Sequence, residues 1–183
     1  MTTAGKKLRN LAVVAAAAAA LTLAPATAHA EDAPVGLVES PVAPNPVFND
    51  PAAEARLNAL VGSQSAEQIE SLADVPGTTV LIDPDSGEFL SAVNDPRARA
   101  LSWLSPGCGA SGKDLSACVT SNGAGIGYIG KGKLSVNLKK TTAVAAGSYV
   151  TSATTSGGTI SIIRPGVRGV YKTPVTITYL TRG

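Results

Sequence analysis

The sequence predicts an α+β protein in which a small helix–helix–hairpin segment precedes an all-β domain, a small sandwich or barrel. Helix-like spacing of apolar residues occurs only between residues 51 and 73, and short alternating segments dominate after Cys118. Glycine and proline turns divide this second part into pieces of strand length. The charge also changes sign near Cys108, so the two parts differ in electrostatics as well as in pattern.

The first 30 residues have the pattern of an export signal. Lys6, Lys7 and Arg9 form a basic start. An uncharged apolar run from Leu11 to Leu23 follows, and small residues lead up to Ala30. The run is shorter than the roughly 20 apolar residues that span a bilayer. We therefore expect cleavage after Ala30, no transmembrane segment after processing, and a secreted, extracellular protein.

Three segments are predicted after the signal peptide, residues 1–30. Residues 31–48 contain four prolines among small apolar residues and should form a flexible, extended leader. Residues 49–100 should form an acidic α+β segment, a candidate propeptide. Residues 101–183 should form a basic β-domain stapled by a disulfide.

Two helices are expected in the acidic segment. The first covers residues 51–61, with proline at its first position and Gly62 as its stop. Ser65 and Gln68 then have the spacing of a capping box, in which each side chain accepts a hydrogen bond from the other residue's backbone N–H. The second helix should end before Pro76, because proline cannot continue the helical hydrogen bonds.

A β-hairpin should follow, with strands at residues 78–82 and 88–93 and a turn at 83–87. This strand–turn–strand, with an Asp–Gly turn between two apolar strands, resembles the hairpin of PepSY-type propeptide modules. The resemblance covers the hairpin alone; it implies a prosegment and no activity. The turn also resembles the start of a calcium loop, but Asn94 stands where the bidentate glutamate is needed. We therefore expect a turn and no metal.

Strands of the basic domain are predicted at residues 134–138, 143–151, 159–162 and 175–179. In the first of these, apolar residues alternate with lysines and other polar residues, which indicates one buried and one basic face. Residues 159–162 and 175–179 repeat the alternation. Pro174 should lie at a sheet edge or at a strand start, because it has no N–H to donate to a neighbouring strand.

Cys108 and Cys118 are the only cysteines, and export to an oxidising compartment favours a disulfide between them over free thiols. Closing so short a loop should contribute about 2–3 kcal/mol. The pinned loop would present Lys113 as a rigid reactive site. A secreted protease inhibitor, or another protein-binding module, is therefore an alternative function, with a secreted protease as its partner.

Charge segregation supports the main functional hypothesis. Residues 31–107 contain 12 acidic residues and three arginines, which gives a net charge of −9. Residues 108–183 contain nine basic residues and one acidic residue, Asp114, which gives a net charge of +8. Such a cationic β-domain should bind an anionic cell-surface polymer or lipid headgroups of the cell envelope, with an antimicrobial, bacteriocin-like effect. Export argues against nucleic acid as the partner. The predicted anion-binding residues are Lys131, Lys133, Lys139, Lys140, Arg164, Arg168 and Lys172.

Two roles of the acidic segment remain open. The oppositely charged parts could simply dock, or the acidic segment could shield the basic domain until a protease cuts at Arg97 or Arg99. Catalysis is not expected in either case. The only histidine belongs to the signal peptide, so the mature chain has no Ser-His-Asp or Cys-His pair and no imidazole for a metal. We expect no cofactor.

Mass spectrometry of the exported protein without reductant tests the Cys108–Cys118 bridge. We expect an intact mass two hydrogen atoms below that of the reduced chain, and a tryptic fragment that separates into two peptides on reduction. Two thiols that react with an alkylating reagent before reduction would contradict the bridge.

Overall fold

The computed structural model describes residues 36–40, 45–46, 51–94 and 117–183, all of which belong to one compact unit. Several residues with predicted roles lie outside these ranges: Ala30, Arg97, Arg99, Cys108 and Lys113. The described residues form two short helices and a mostly antiparallel sheet, which confirms an α+β, mostly-β protein.

Both predicted helices form. Helix α1 spans Pro51–Leu60 and helix α2 spans Ala66–Ala73. The capping box is confirmed, because Ser65 Oγ accepts from the Gln68 N–H while Gln68 Oε1 accepts from the Ser65 N–H. Leu57 is fully buried, and its carbonyl accepts a 2.8 Å hydrogen bond from the Ser91 hydroxyl of the hairpin. This bond fixes α1 on the hairpin.

The described ranges contain ten strands. In chain order they are β1 (Val38–Glu39), β2 (Asn45–Pro46), β3 (Thr78–Ile82), β4 (Phe89–Asn94), β5 (Ala117–Ser121), β6 (Ala124–Ile129), β7 (Gly132–Ala145), β8 (Thr151–Thr155), β9 (Ile160–Ile163) and β10 (Arg168–Arg182). β3 and β4 are the predicted hairpin. β1 and β2 lie in the predicted leader, and both pair antiparallel with β6.

The long strand β10 joins the two oppositely charged parts of the chain. Along one side it pairs antiparallel with β7. On its other side, residues 168–171 pair in parallel with β3 and residues 177–182 pair antiparallel with β8. The sheet therefore runs β1-β6-β5-β7-β10-β3-β4, with β8 and β9 attached to the C-terminal half of β10. The hairpin of the acidic segment is part of the same sheet as the basic strands.

Two strand predictions need correction. Pro174 lies inside β10 and not at an edge or a start; it is accommodated because the β10–β7 register skips from Val170 to Val175. Residues 143–145 complete β7 and do not begin a new strand, and β8 starts at Thr151. Lys140 explains this second difference. Its backbone is left-handed, with a φ of 49°, and forms an irregularity in the strand. β7 therefore continues to Ala145 although its alternation of apolar and polar residues ends at Lys139.

One hydrophobic cluster joins the two parts of the described chain, while Leu57 of α1 and Leu81 of β3 are buried outside it. Its buried members come from α2, from the hairpin and from the C-terminal strands, and include Ile69, Val80, Ile82, Ala92, Val144, Ile163, Ile177 and Leu180. Because α2, the hairpin and the C-terminal strands bury the same cluster, this core is shared between the two parts of the described chain.

The turn between β3 and β4 contacts the start of β9. Asp83 Oδ1 accepts hydrogen bonds from the N–H groups of Asp85 and Ser86, which folds the turn back on itself. The Thr159 hydroxyl donates a 3.0 Å hydrogen bond to the Asp85 carbonyl. Gly87 has a φ of 78°, and a Cβ there would lie 2.6 Å from the Ile160 carbonyl oxygen. Glycine is therefore required for two independent reasons.

Replacing Gly87 with alanine should destabilise the protein more than the matched change Gly158→Ala. Gly158 has a similar φ of 87°, but no atom lies within 4 Å of the position that a Cβ would take there. Both changes incur the cost of a left-handed alanine, about 1–2 kcal/mol. Gly87→Ala should add about 1–3 kcal/mol for the clash with β9. Urea unfolding measures both; equal losses would show that the turn does not pack on β9.

Candidate anion-binding face

Strand β7 has one polar and one apolar face, as its alternation predicts. Residues 133, 135, 137 and 139 are exposed. Leu134 and Val136 between them are half-buried and pack against the core, and Leu138 is buried. Lys133 and Lys139 therefore point away from the core on the same face of the strand.

An irregularity in β7 exposes two consecutive lysines. Lys139 and Lys140 are both exposed, although neighbours in a regular strand point to opposite faces. The Ser121 hydroxyl donates to the Lys139 carbonyl at 2.7 Å, and the Thr141 hydroxyl donates to the Leu138 carbonyl at 2.9 Å. These bonds hold the backbone around Lys140, whose φ is 49°. The strained conformation adds a cation to the exposed surface of β7.

Three exposed lysines thus lie on β7, and a fourth directly precedes it. Lys131, immediately before β7, is also exposed. We call Lys131, Lys133, Lys139 and Lys140 the β7 lysine row. At about 3.3 Å per residue, the row spans roughly 25–30 Å.

Two tyrosines contact this row. Lys131 Nζ lies 3.8 Å from the centroid of the Tyr149 ring, and Lys133 Nζ lies 4.4 Å from that of Tyr179. Such contacts are worth about 0.5–1 kcal/mol at exposed sites. They orient the ammonium groups without neutralising them, so the positive charge remains available to an anion.

Arg182 also contacts Tyr149, a role that the sequence pattern did not reveal. Its guanidinium lies 4.6 Å from the ring centroid, and its Nη1 donates a 2.6 Å hydrogen bond to the Gly130 carbonyl. Arg182 is only 2% exposed. It therefore holds the ring that contacts Lys131 and is not itself a surface cation.

The other predicted anion-binding residues lie elsewhere. Arg164 pairs with Asp74 at the end of α2, with 3.1 Å between Nε and Oδ1. Arg168 is half-buried in the middle of the sheet, opposite Thr79 of β3. Lys172 is exposed on β10, outside the residues that pair with β7. The structure brings together four of the seven predicted cations.

The β7 lysine row is not neutralised by the described part of the acidic segment. None of its four lysines forms an ion pair with a described carboxylate. The acidic side chains of the helices, Glu54, Glu67 and Glu70, lie in elements that pack on β3 and β4. Arg164 and Asp74 form an ion pair between the basic and the acidic part, but the β7 lysine row keeps its charge.

An acidic residue lies at a different edge of the sheet, on β1. Glu39 of β1 lies opposite Tyr128 of β6. Burial raises the pKa of the Tyr128 hydroxyl to about 12, and the charge of Glu39 adds to this shift. Tyr128 is 1% exposed, so it belongs to the core and not to the cationic face.

Three other kinds of functional feature are absent from the described residues: a metal cluster, a membrane-spanning helix and a free cysteine. They contain no group of three His, Cys, Asp or Glu side chains that could hold a metal ion. None of the described helices has the length and apolar character needed to cross a membrane. None of the described residues is a free cysteine; Cys118 is half-buried on β5, whereas Cys108 lies outside the described ranges. The Cys108–Cys118 disulfide stays a prediction.

Comparison with known proteins finds no matching family model and no significant similarity to a curated protein or to a solved structure.

The raised pKa of Tyr128 predicts a specific alkaline loss of stability. Because the folded pKa lies above the ordinary value of about 10, the folded state holds this proton more tightly than the unfolded state. The stability gained in this way is complete below about pH 10 and is lost as the pH rises toward 12. Tyr128→Phe removes the titrating group.

We expect the free energy of unfolding to fall more steeply between about pH 10 and 12 in the unmodified protein than in Tyr128→Phe. Some decline should persist in the variant, because burial also raises the pKa of Tyr171. Urea unfolding at several pH values measures the two slopes. Parallel slopes would show that the Tyr128 hydroxyl is not buried in the folded protein.

Proposed function

We propose that this protein is exported and, without catalysis, uses the β7 lysine row to bind an anionic surface or polymer of the cell envelope. The observation that carries the proposal is the set of four exposed lysines on β7 and directly before it, none ion-paired with a described carboxylate. The partner's chemistry is a repeated phosphate, sulfate or carboxylate group. An antimicrobial effect would be a consequence of such binding to another cell.

The spacing of the lysines supports an extended partner. A row of roughly 25–30 Å can meet several charges of one polymer or surface at once. Each lysine close to an anionic surface contributes about 1 kcal/mol at low salt, and the contribution is screened as salt rises. The tyrosine contacts of Lys131 and Lys133 reduce the side-chain freedom that binding would otherwise cost.

The same lysines have a second physical explanation. Residues 132–138 of β7 pair with β10 on one side and with no other described strand on the other. Lysines on an open edge prevent association with the edge of another sheet. That role needs charge only near the edge and no bound partner, so a binding measurement separates the two explanations.

The parallel β3–β10 pairing supports a docked acidic segment over a removable shield. Four consecutive residues of β10 pair with β3, and both strands contribute to the same core cluster. A cut at Arg97 or Arg99 would leave these contacts in place. This common core also supports the finer fold proposal, in which the sheet bends over itself as a small sandwich or barrel. No described feature favours the protease-inhibitor alternative, since Lys113 lies outside the described residues.

Retention on dextran sulfate tests the binding proposal. The variant Lys131→Gln/Lys133→Gln/Lys139→Gln/Lys140→Gln should bind at least about tenfold more weakly than the unmodified protein, and the difference should shrink as salt rises. A second variant adds Glu54→Gln, Glu67→Gln, Glu70→Gln and Glu88→Gln to restore the net charge. It should remain weak, because the location of the charge matters.

Two outcomes would contradict the proposal. Unchanged retention of the four-lysine variant would show that β7 is not the binding strand. Recovery of binding in the charge-restored variant would show that only net charge matters. Circular dichroism of both variants checks that the strands are retained.

A further inference from the structure

A second surface adjoins the lysine row, on the outer side of the sheet formed by β7, β10, β8 and β9. The registers align Lys133, Thr181, Ser152 and Ile162 in one row across the four strands. The next outward row contains Ser135, Tyr179, Thr154 and Ile160. We call these eight residues the outer rows.

The inward positions between the rows confirm their orientation. Leu180, Ala153 and Ser161 align with one another and are buried, as are Arg182, Thr151 and Ile163 in the following inward row. Neighbouring residues of a strand point to opposite faces, so the outer rows face solvent.

The outer rows expose three large apolar side chains on one face of the sheet. Ile160 is 56% exposed, Ile162 is 55% exposed and Tyr179 is 40% exposed. The alternation in residues 159–162 thus leaves its apolar side outside the core, because Ile163 occupies the interior. A Cβ at Gly169 of β10 would lie only 3.1 Å from Ile163 Cδ1, which shows how closely that side chain packs.

The side chains of the outer rows change from apolar on β9 to cationic on β7. Two isoleucines lie on β9, hydroxyl side chains lie on β8, Tyr179 lies on β10, and Lys133 lies on β7 with its ammonium over the Tyr179 ring. The rows contain no acidic residue, and residues 115–183 contain none either. At one corner, the backbone of the turn at residues 83–88 contacts Thr159 through the Asp85 carbonyl.

We propose that the outer rows rest on an anionic lipid surface, with Ile160 and Ile162 inserted at the boundary between headgroups and acyl chains. This deepens the proposed function and rests on it, since it names lipid as the source of the anions. Tyrosine favours such a boundary, because its ring is apolar and its hydroxyl is polar. Lys133 and the adjoining lysines of β7 would reach the phosphates of the same surface. A hydrophilic polyanion offers nothing to the isoleucines, which is why lipid is favoured.

Co-sedimentation with vesicles tests the proposal on the full mature chain. The probes are vesicles of phosphatidylcholine with phosphatidylglycerol and vesicles of phosphatidylcholine alone. The variant Ile160→Thr/Ile162→Thr keeps β-branched side chains and therefore the strand. Its affinity for the anionic vesicles should be at least about tenfold lower than that of the unmodified protein, because the two isoleucines no longer insert into the lipid. The neutral vesicles should bind the unmodified protein weakly.

The control variant Val61→Thr/Val75→Thr removes two apolar groups of 40% and 42% exposure at the ends of the helices. It should bind anionic vesicles as well as the unmodified protein does. Dextran sulfate separates the two proposals, since the isoleucine variant should bind it normally whereas the four-lysine variant should not.

Three results would overturn the lipid assignment. One is equal vesicle binding by the isoleucine variant and the unmodified protein. Another is binding to dextran sulfate without binding to anionic vesicles, which would leave the proposed function intact. The third is a dimer that the isoleucine variant converts to a monomer in light scattering, which would assign the outer rows to contact with a second copy. Failure to bind either probe would instead overturn the proposed function itself.

Discussion

The pairing of β10 with three other strands is the constraint on which the rest of the described structure depends. β10 pairs with β7 along one side, and with β3 and β8 along the other. Because β3 is the parallel neighbour, the acidic hairpin is fixed beside the basic strands by backbone hydrogen bonds. Charge attraction is not needed to hold the two parts together. This leaves the lysines of β7 available for another partner.

The irregularities of the long strands decide which side chains face solvent. In β10 the interrupted register accommodates Pro174 without ending the strand. In β7 the left-handed Lys140 places two consecutive lysines on the surface and still returns residues 143–145 to the sheet. A regular β7 would bury or redirect one of these lysines. The positive row is therefore a product of backbone geometry as well as of composition.

Local patterns in the sequence were enough to predict the helices, the capping box, the hairpin and the two faces of β7. Each depends on residues a few positions apart, where periodicity and turn chemistry act directly. The β3–β10 pairing could not be predicted in this way, because Thr79 and Arg168 are distant in sequence and neither strand marks its partner. The same limit applies to Arg164, which the sequence pattern groups with the anion-binding residues because nothing near it in the chain reveals Asp74.

The outward isoleucines show the limit of periodicity most clearly. The sequence Ile-Ser-Ile-Ile of β9 is compatible with either face toward the core. The choice depends on the alignment of Ser161 with Ala153 and on the packing of Ile163, both of which are properties of the assembled sheet. The surface that we assign to lipid is thus visible only in three dimensions, whereas the lysine row beside it was visible in the sequence.

Hydrogen exchange of the intact mature protein tests most directly whether the acidic hairpin is an integral part of the sheet. Amides of β3 and of residues 168–171 of β10 should exchange slowly and at the same rate as those of β8 and residues 177–182, because all should open only when the protein unfolds. Rapid exchange of β3 and β4, with β7, β8 and the C-terminal half of β10 still protected, would contradict this account. The acidic segment would then be a separable attachment to a self-sufficient basic domain.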